Sequence, residues 1–304
     1  MSGLHRNLLR TGYRRVFQIA GVIVANPWFP YITTRKIYQG KAKGFCVPAL
    51  NCYACPFALF SCPIGSLQHS FGLFHRGREL LEKALPSLFY AGGILLLTGM
   101  ISGRLTCGWI CPFGFLQDLL YKIPGRKIRI PEKMKPLRYV TLLVLVFFLP
   151  LLTGVHWFSR LCPAGSLEGA IPLLILKPAS GLPPLGAFFW FKISILAAIL
   201  AWMVFTSRPF CRTLCPLGAL YGLFNRISLY RLDVLNETCT GCGKCVSVCP
   251  VEIDITQDPN STECIRCLEC KRACPTEAIR FGFGSSYPRN KEQSKESVGD
   301  YPEN

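Results

Sequence analysis

With 304 residues, 50% hydrophobic, 17% charged and a mean hydropathy of +0.32, the chain is too apolar for a water-soluble domain, in which about a quarter of residues are charged. Its formal charge of +17 divides at Ser207, with 22 Lys and Arg against 5 Asp and Glu before it and 12 against 12 after it. The basic residues alternate with apolar stretches and form no continuous stripe, which disfavours a nucleic-acid partner. It describes basic loops beside membrane helices, followed by a neutral soluble piece.

A bilayer core needs about 20 apolar residues of helix. The first span, 16–32, is short and interrupted by Asn26, Pro27 and Pro30. Three further spans, 84–103, 137–155 and 185–206, are continuous. Arg6, Arg10, Arg14 and Arg15 flank the first, seven basic residues fill 104–136, and only Arg160 and Lys177 occupy 156–184. Four spans with both termini inside fit these segments, against which stand seven Lys and Arg in loop 33–83. The run Tyr13-Arg14-Arg15-Val16-Phe17 has the look of a twin-arginine export signal, but no convincing small-residue cleavage site follows and it reads as a basic flank. Lys192, among Phe188, Phe189, Trp190 and Phe191, reads as an interfacial snorkelling lysine.

The soluble piece carries Cys239-x2-Cys242-x2-Cys245-x3-Cys249-Pro and Cys264-x2-Cys267-x2-Cys270-x3-Cys274-Pro. Two such runs specify a two-cluster ferredoxin in which the fourth cysteine of each run ligates the other cluster. Cys239, Cys242, Cys245 and Cys274 are then one [4Fe–4S] set, and Cys264, Cys267, Cys270 and Cys249 the other. Zinc sites favour paired C-x2-C modules instead.

The remaining nine cysteines include a fourfold repeat, C-P-x-G-x-L, at Cys62 (CPIGSLQ), Cys111 (CPFGFLQ), Cys162 (CPAGSLE) and Cys215 (CPLGALY). Proline after the cysteine suits the first helical turn, whose free N–H groups and positive dipole end favour a thiolate. Cys107 and Cys211 each stand four residues before a repeat, so Cys107, Cys111, Cys211 and Cys215 total four thiolates at the inner ends of two spans. On the outer side Cys52, Cys55, Cys62 and Cys162 again total four, leaving Cys46, which is exchangeable with Cys52 or Cys55. Two readings of the outer four stay open: a further cluster, or disulfides on an oxidising face. For the inner four the competing reading is buried structural thiols.

At these residues the chain resembles the membrane-bound polyferredoxins typified by NapH, with NosR and CcoG-type proteins as relatives, over about 90–280. The resemblance implies a membrane α-helical bundle of about four transmembrane helices plus re-entrant cysteine-bearing segments, with a C-terminal α+β two-[4Fe–4S] ferredoxin domain. It also implies electron exchange between a quinone pool and partner redox proteins. The cysteine-rich segment 46–62 and Cys162 depart from the family's usual pattern. The expected division is 1–226 transmembrane, 227–284 ferredoxin and 285–304 polar tail.

The first functional reading is a membrane-bound electron wire through up to four [4Fe–4S] clusters. It joins the quinone pool or an outer-face cytochrome or iron–sulfur protein to a cytoplasmic-side partner. The cysteine-bearing helices must then dip into the bundle, and segments 44–72 and 156–176 look re-entrant. The second is a quinol dehydrogenase with structural outer cysteines, its menaquinone or ubiquinone served by a proton acceptor among His69, His156, Glu168 and Asp118. The third is a CcoG-type assembly or metal-reduction factor. No nucleophile–base triad, phosphate loop or nucleotide fingerprint appears, so partners supply any substrate chemistry. Loop 122–138 reads as a contact for anionic lipid heads. The expected location is a prokaryotic inner membrane, multi-pass, with the N-terminus and ferredoxin domain cytoplasmic.

Overall fold

A computed structural model describes residues 2–34, 36–75, 77, 81–176 and 186–284, with the side chains of 2–12, 81 and 83 excepted. The predicted tail, 285–304, lies outside the described residues.

Three helices are long and apolar enough to cross a membrane: Ala84–Ser102, Glu132–Thr153 and Ala187–Phe205. Only 17–28% of their residues are buried in protein, so Phe89, Leu97, Leu143, Phe148, Trp190 and Phe191 face outward, as a hydrocarbon solvent requires. The middle span is π-helical over Thr141–Phe148 just before Pro150, and the Leu149 N–H reaches back five residues to Val144. Proline has no N–H for the Val146 carbonyl and its ring crowds that group; a wider turn accommodates both.

The expected span 16–32 is corrected. The first helix is Ser2–Ala25, and it stops before Pro27, whose ring disfavours helix at the residue preceding it. It is not among the three membrane-crossing candidates. Tyr13, Val16, Phe17, Ile19 and Ile23 point outward while Arg14 and Gln18 are buried. A helix with its polar face inward must give that face partners. Arg14 donates to Asp118 at 2.5 Å and to the Gly108 carbonyl at 3.1 Å, and Gln18 donates to the same two at 3.0 and 3.1 Å.

Between the spans lie shorter helices that begin in the bundle interior. Pro63–His75 returns antiparallel along the first span, its 13 residues covering about 20 Å. Pro112–Leu120, Pro163–Gly165 and Pro216–Phe224 start in the same way from a cysteine. Segments 44–72 and 156–176 carry Cys62 and Cys162 into one apolar core with Cys107, Cys111 and Cys215.

The C-terminal piece closes with β1 (Tyr230–Val234) and β2 (Ile279–Phe283), antiparallel with Tyr230 opposite Phe283 and Val234 opposite Ile279. A second apolar core of Leu232, Val251, Ile253, Ile255, Ile265 and Ile279 surrounds Cys264, Cys267 and Cys270. This piece is bolted to the bundle by charge. Arg14 lies 3.7 Å from Glu269, Arg212 lies 3.2 Å from Glu252 and 3.5 Å from Glu263, and Arg138 pairs with Glu263. The basic end of the first helix and the ferredoxin-like piece are thus on the same side.

Asp118 is the hinge pin of this arrangement. Burial alone raises its carboxyl, but Arg208 and Arg14 outweigh burial and hold it well below the usual carboxylate range. Asp118→Asn leaves two buried guanidiniums without their shared anion and is expected to cost about 3–5 kcal/mol. Glu132→Gln, at the exposed Lys135 pair, is expected to cost at most about 1 kcal/mol. Thermal unfolding in detergent compares the two. The Asp118 contribution is present above the unfolded carboxylate value of about 3.9 and is lost as pH falls through its lower folded value.

Candidate functional site

The C-P-x-G repeat has one local geometry in all four places. The cysteine stands at the helix N-cap, with φ near −60 to −75° and ψ near 120° at Cys111, Cys162 and Cys215. At Cys215 the N–H of the repeat glycine, Gly218, donates to the thiol at 3.4 Å, the acceptor role that Ser or Asp ordinarily plays at an N-cap; Cys111 and Cys162 make no such cap hydrogen bond. Proline at N1 supplies the correct φ and has no N–H to leave unpaired.

Cys107, Cys111, Cys211 and Cys215 come together where the first and third spans end. All four are buried, and Cys107 and Cys111 lie within the electrostatic reach of Cys211. Gln117 Nε2 donates to Cys211 Sγ at 2.9 Å. Two fully buried arginines cross-brace the site: Arg104 Nη2 donates to the Cys211 carbonyl at 2.9 Å and Arg208 Nη1 to the Cys107 carbonyl at 2.7 Å. These arginines escaped the sequence reading, although each precedes its first cysteine by the same three residues. Asp118, a candidate proton acceptor on sequence grounds, is committed here to Arg14, Arg208 and Gln18. That is the wrong setting for accepting a proton at neutral pH.

Cys52, Cys55, Cys62 and Cys162 form the second membrane set. Cys52 feels Cys55 and Cys62, and Cys162 feels Cys52 and Cys62. Burial, with Glu168 adding to it, pushes the Cys52 thiol up to about 12; burial pushes Cys55 to about 11. Burial also lifts the Glu168 carboxyl to about 7, although the Cys52 amide donates to it at 2.9 Å. Cys46 lies beside Cys62 with Ser61 Oγ and Ser66 Oγ at 3.5 and 3.4 Å from its sulfur. A cleft of about 530 Å³ opens over this set, lined by Cys52, Cys62, Cys162, His156, Arg160 and Lys192. His69 stacks edge-on against His156 with ring centres 5.7 Å apart. Lys192 is thus part of the cleft wall.

In the C-terminal piece, Cys249 joins Cys264, Cys267 and Cys270 around a small pocket walled by Leu232, Val251 and Ile265. Cys242 feels Cys274, and Cys245 feels Cys239. The fourth cysteine of each run therefore crosses to the other triplet. The first set is buried in its triplet, whereas Cys242 is exposed.

Among the described residues no group of three or more His, Cys, Asp or Glu is gathered for a single metal ion. A cubane is a larger body whose irons and sulfides hold four thiolates apart. The donors fit it: all-sulfur, in groups of four, and buried in the membrane sets save for the half-buried Cys52, with Lys43 the cation acting on Cys52 and Cys55. Ionised ligands there need iron's positive charge.

Between the sets the gaps are short. The Leu50 amide lies near Cys111 and that of the next residue, Asn51, near Cys62, and Leu50 shares one apolar core with both cysteines. On the other side, Trp109 Nε1 donates to the Arg266 carbonyl at 2.9 Å, and a Cβ at Gly108 would collide with the Ile265 carbonyl.

Family models agree with these positions. A 4Fe–4S binding domain matches 84–131, an LdpA Fe–S cluster-binding domain 206–259 and a second 4Fe–4S binding domain 259–280. The fold and cysteine sets define an iron–sulfur electron-transfer protein of membranes, with [4Fe–4S] clusters as its cofactors. Among relatives, the uncharacterised Methanocaldococcus jannaschii protein MJ0750 is 32% identical over 70% of this chain and 85% of its own. The putative electron transport protein YccM of Escherichia coli is 30% identical over 67% and 59%. The ferredoxin-type protein NapH of Haemophilus influenzae is 27% identical over 67% and 71%. The chain belongs to the NapH/NosR-like family of polyferredoxins. No solved structure matches it.

The repeat glycines separate the sites experimentally. A Cβ at Gly114 or Gly218 would stand 2.8 or 2.7 Å from the Cys107 or Cys211 carbonyl, whereas at Gly65 it meets only the Tyr53 ring at 3.5 Å. Gly218→Ala is expected to remove about four irons per chain and Gly65→Ala none, as counted by iron and acid-labile sulfide in anaerobic protein.

Proposed function

We propose that the chain is a conduit that carries single electrons across the membrane between a redox partner at its outer cleft and a partner at its exposed C-terminal piece. Sixteen of its cysteines, in four sets, are assigned to four [4Fe–4S] clusters: Cys52, Cys55, Cys62 and Cys162; Cys107, Cys111, Cys211 and Cys215; Cys264, Cys267, Cys270 and Cys249; Cys239, Cys242, Cys245 and Cys274. One-electron transfer is the chemistry such clusters supply when bound. The protein's own work is to hold the ligand sets close, exclude water and aim N–H groups at sulfur.

The observation that carries the reading is the single apolar core that holds Cys62 and Cys162 with Cys107, Cys111 and Cys215, with Leu50 between the two sets. Tunnelling decays steeply with distance, and a hydrocarbon layer of about 30 Å defeats it unless relay sites lie within the layer. Sets that share a core remove that obstacle. The contact of Gly108 and Trp109 with Ile265 and Arg266 continues the series into the soluble piece, and the exposed Cys242 is its open end. Its partners in this reading are an outer-face cytochrome or iron–sulfur protein and a cytoplasmic-side donor or acceptor. The location is a prokaryotic inner membrane with the N-terminus inside; the excess of basic residues before Ser207 and the Arg14–Glu269 contact support it.

A second reading places a quinone at the cleft, and the presence of His156 in its wall, in ring contact with His69, favours that version. Glu168, which accepts from the amide of the cleft residue Cys52, is the proton acceptor in this reading. The quinone then replaces the outer-face protein as the electron donor or acceptor.

Iron and acid-labile sulfide in Cys162→Ser test the conduit. About sixteen irons in the parent and about twelve in the variant, with the ferredoxin signals intact by electron paramagnetic resonance, are expected. Unchanged iron makes the Cys52 set structural and leaves the quinone reading.

A further inference from the structure

The two halves of the Cys107/Cys211 site are copies 104 residues apart, Arg104-x2-Cys107-x3-Cys111-Pro-x-Gly114 and Arg208-x2-Cys211-x3-Cys215-Pro-x-Gly218. Each arginine crosses to the other copy's cysteine carbonyl. The symmetry breaks at one position. Seven residues beyond Cys111 stands Asp118, whose carboxylate clasps Arg208 at two points, 2.6 and 2.7 Å. Seven residues beyond Cys215 stands Gly222. A Cβ there would lie 2.8 Å from the Thr262 carbonyl, and that carbonyl accepts from Arg104 Nη1 at 2.7 Å. A neutral dipole from the ferredoxin-like piece therefore takes the place of a full negative charge.

Arg104 is fully buried, and among the described residues no carboxylate lies within 4.0 Å of it. The charges it faces are Glu263, Cys107, Cys211 and Cys215. Glu263 is already held by Arg138 and Arg212. Arg208, by contrast, shares Asp118 with Arg14. A buried guanidinium without an anion is strongly unfavourable, so the thiolate site itself is the remaining source of negative charge.

We infer that Arg104 is the counter-cation of the Cys107–Cys111–Cys211–Cys215 centre, setting its reduction potential and tying it to the adjacent ferredoxin centre. The inference rests on the reading that these four cysteines hold one cluster. Adding one electron to that centre adds one negative charge beside a cation with no carboxylate within 4.0 Å among the described residues, in surroundings of low dielectric. The same fork joins the Cys211 carbonyl to that of Thr262, two residues before Cys264, so one side chain spans the loops of both centres. Arg104 is a positioning residue that acts through the cluster and touches no substrate.

The test is a redox titration of the full-length protein in detergent, with dithionite as one-electron reductant through mediators and electron paramagnetic resonance as the readout, alongside iron counts. Cys215→Ser identifies the centre's signal by subtracting it. Arg104→Gln keeps hydrogen-bonding groups and removes the charge. The equilibrium for reducing that centre is expected to fall at least tenfold, 59 mV for one electron, with the Cys52 and Cys239 sets, which Arg104 does not reach, unmoved. Arg104→Lys restores the charge without the planar fork and is expected to recover most of the potential. If Arg104→Gln loses the centre's iron, Arg104→Lys decides: recovery of iron with a near-parental potential supports the counter-cation, and equal loss overturns it. Full iron with an unchanged potential in Arg104→Gln also overturns it. Cys215→Ser that subtracts neither iron nor signal sinks the underlying cluster reading instead, which is a separate result.

Discussion

Buried positive charge is the constraint around which this molecule is arranged. Arg104, Arg138, Arg208, Arg212 and Arg266 are among its largest fully buried side chains, in a chain with few acids near the membrane. Each has to be answered where water cannot reach. Asp118 answers Arg208 and Arg14, Glu263 answers Arg138 and Arg212, and carbonyls of Asn225 and Ser102 receive Arg266. Because donors and acceptors come from different segments, meeting these demands brings the first helix, two cysteine repeats and the ferredoxin-like piece into one assembly. The cysteine geometry follows from that assembly.

The repeat itself is an economical device. A cysteine at the N-cap offers sulfur to the helix's own unpaired N–H groups, so the amides that stabilise a thiolate come with the helix. Proline fixes the approach and glycine lets the preceding loop pass close by. Repeating this four times yields sulfur acceptors inside an apolar bundle without importing a charged side chain at each one. The Cys111 and Cys215 repeats add the arginine brace, and the Cys62 and Cys162 repeats add the Cys52–Cys55 loop, which makes the two sites different despite their shared motif.

Family membership and geometry bear on different links of the argument. The relatives establish an iron–sulfur electron-transfer protein of membranes. The placement of Leu50 and Asn51 between the membrane sets, and of Gly108 against Ile265, is what gives the conduit reading physical content, because electron transfer is a question of distance. In the proposed conduit, the cleft over Cys52, Cys62 and Cys162 is the end at which the series meets its donor or acceptor.

The sequence by itself determined the class of protein and the three continuous spans, since hydropathy and motif spacing are local properties. The repeats were legible for the same reason: C-P-x-G encodes one helical turn. Only the tertiary structure decided that the first helix ends at Ala25, that Asp118 is a structural anion, that Lys192 faces a cleft, and that the two membrane sets share a core. Pro27 hinted at the first of these. The others depend on contacts across a hundred residues, such as Arg14 with Asp118 or Cys52 with Glu168, which no local pattern records. The Arg-x2-Cys spacing was visible twice in the sequence, but its meaning lies in each arginine reaching the opposite copy, and that reach exists only once the chain is folded.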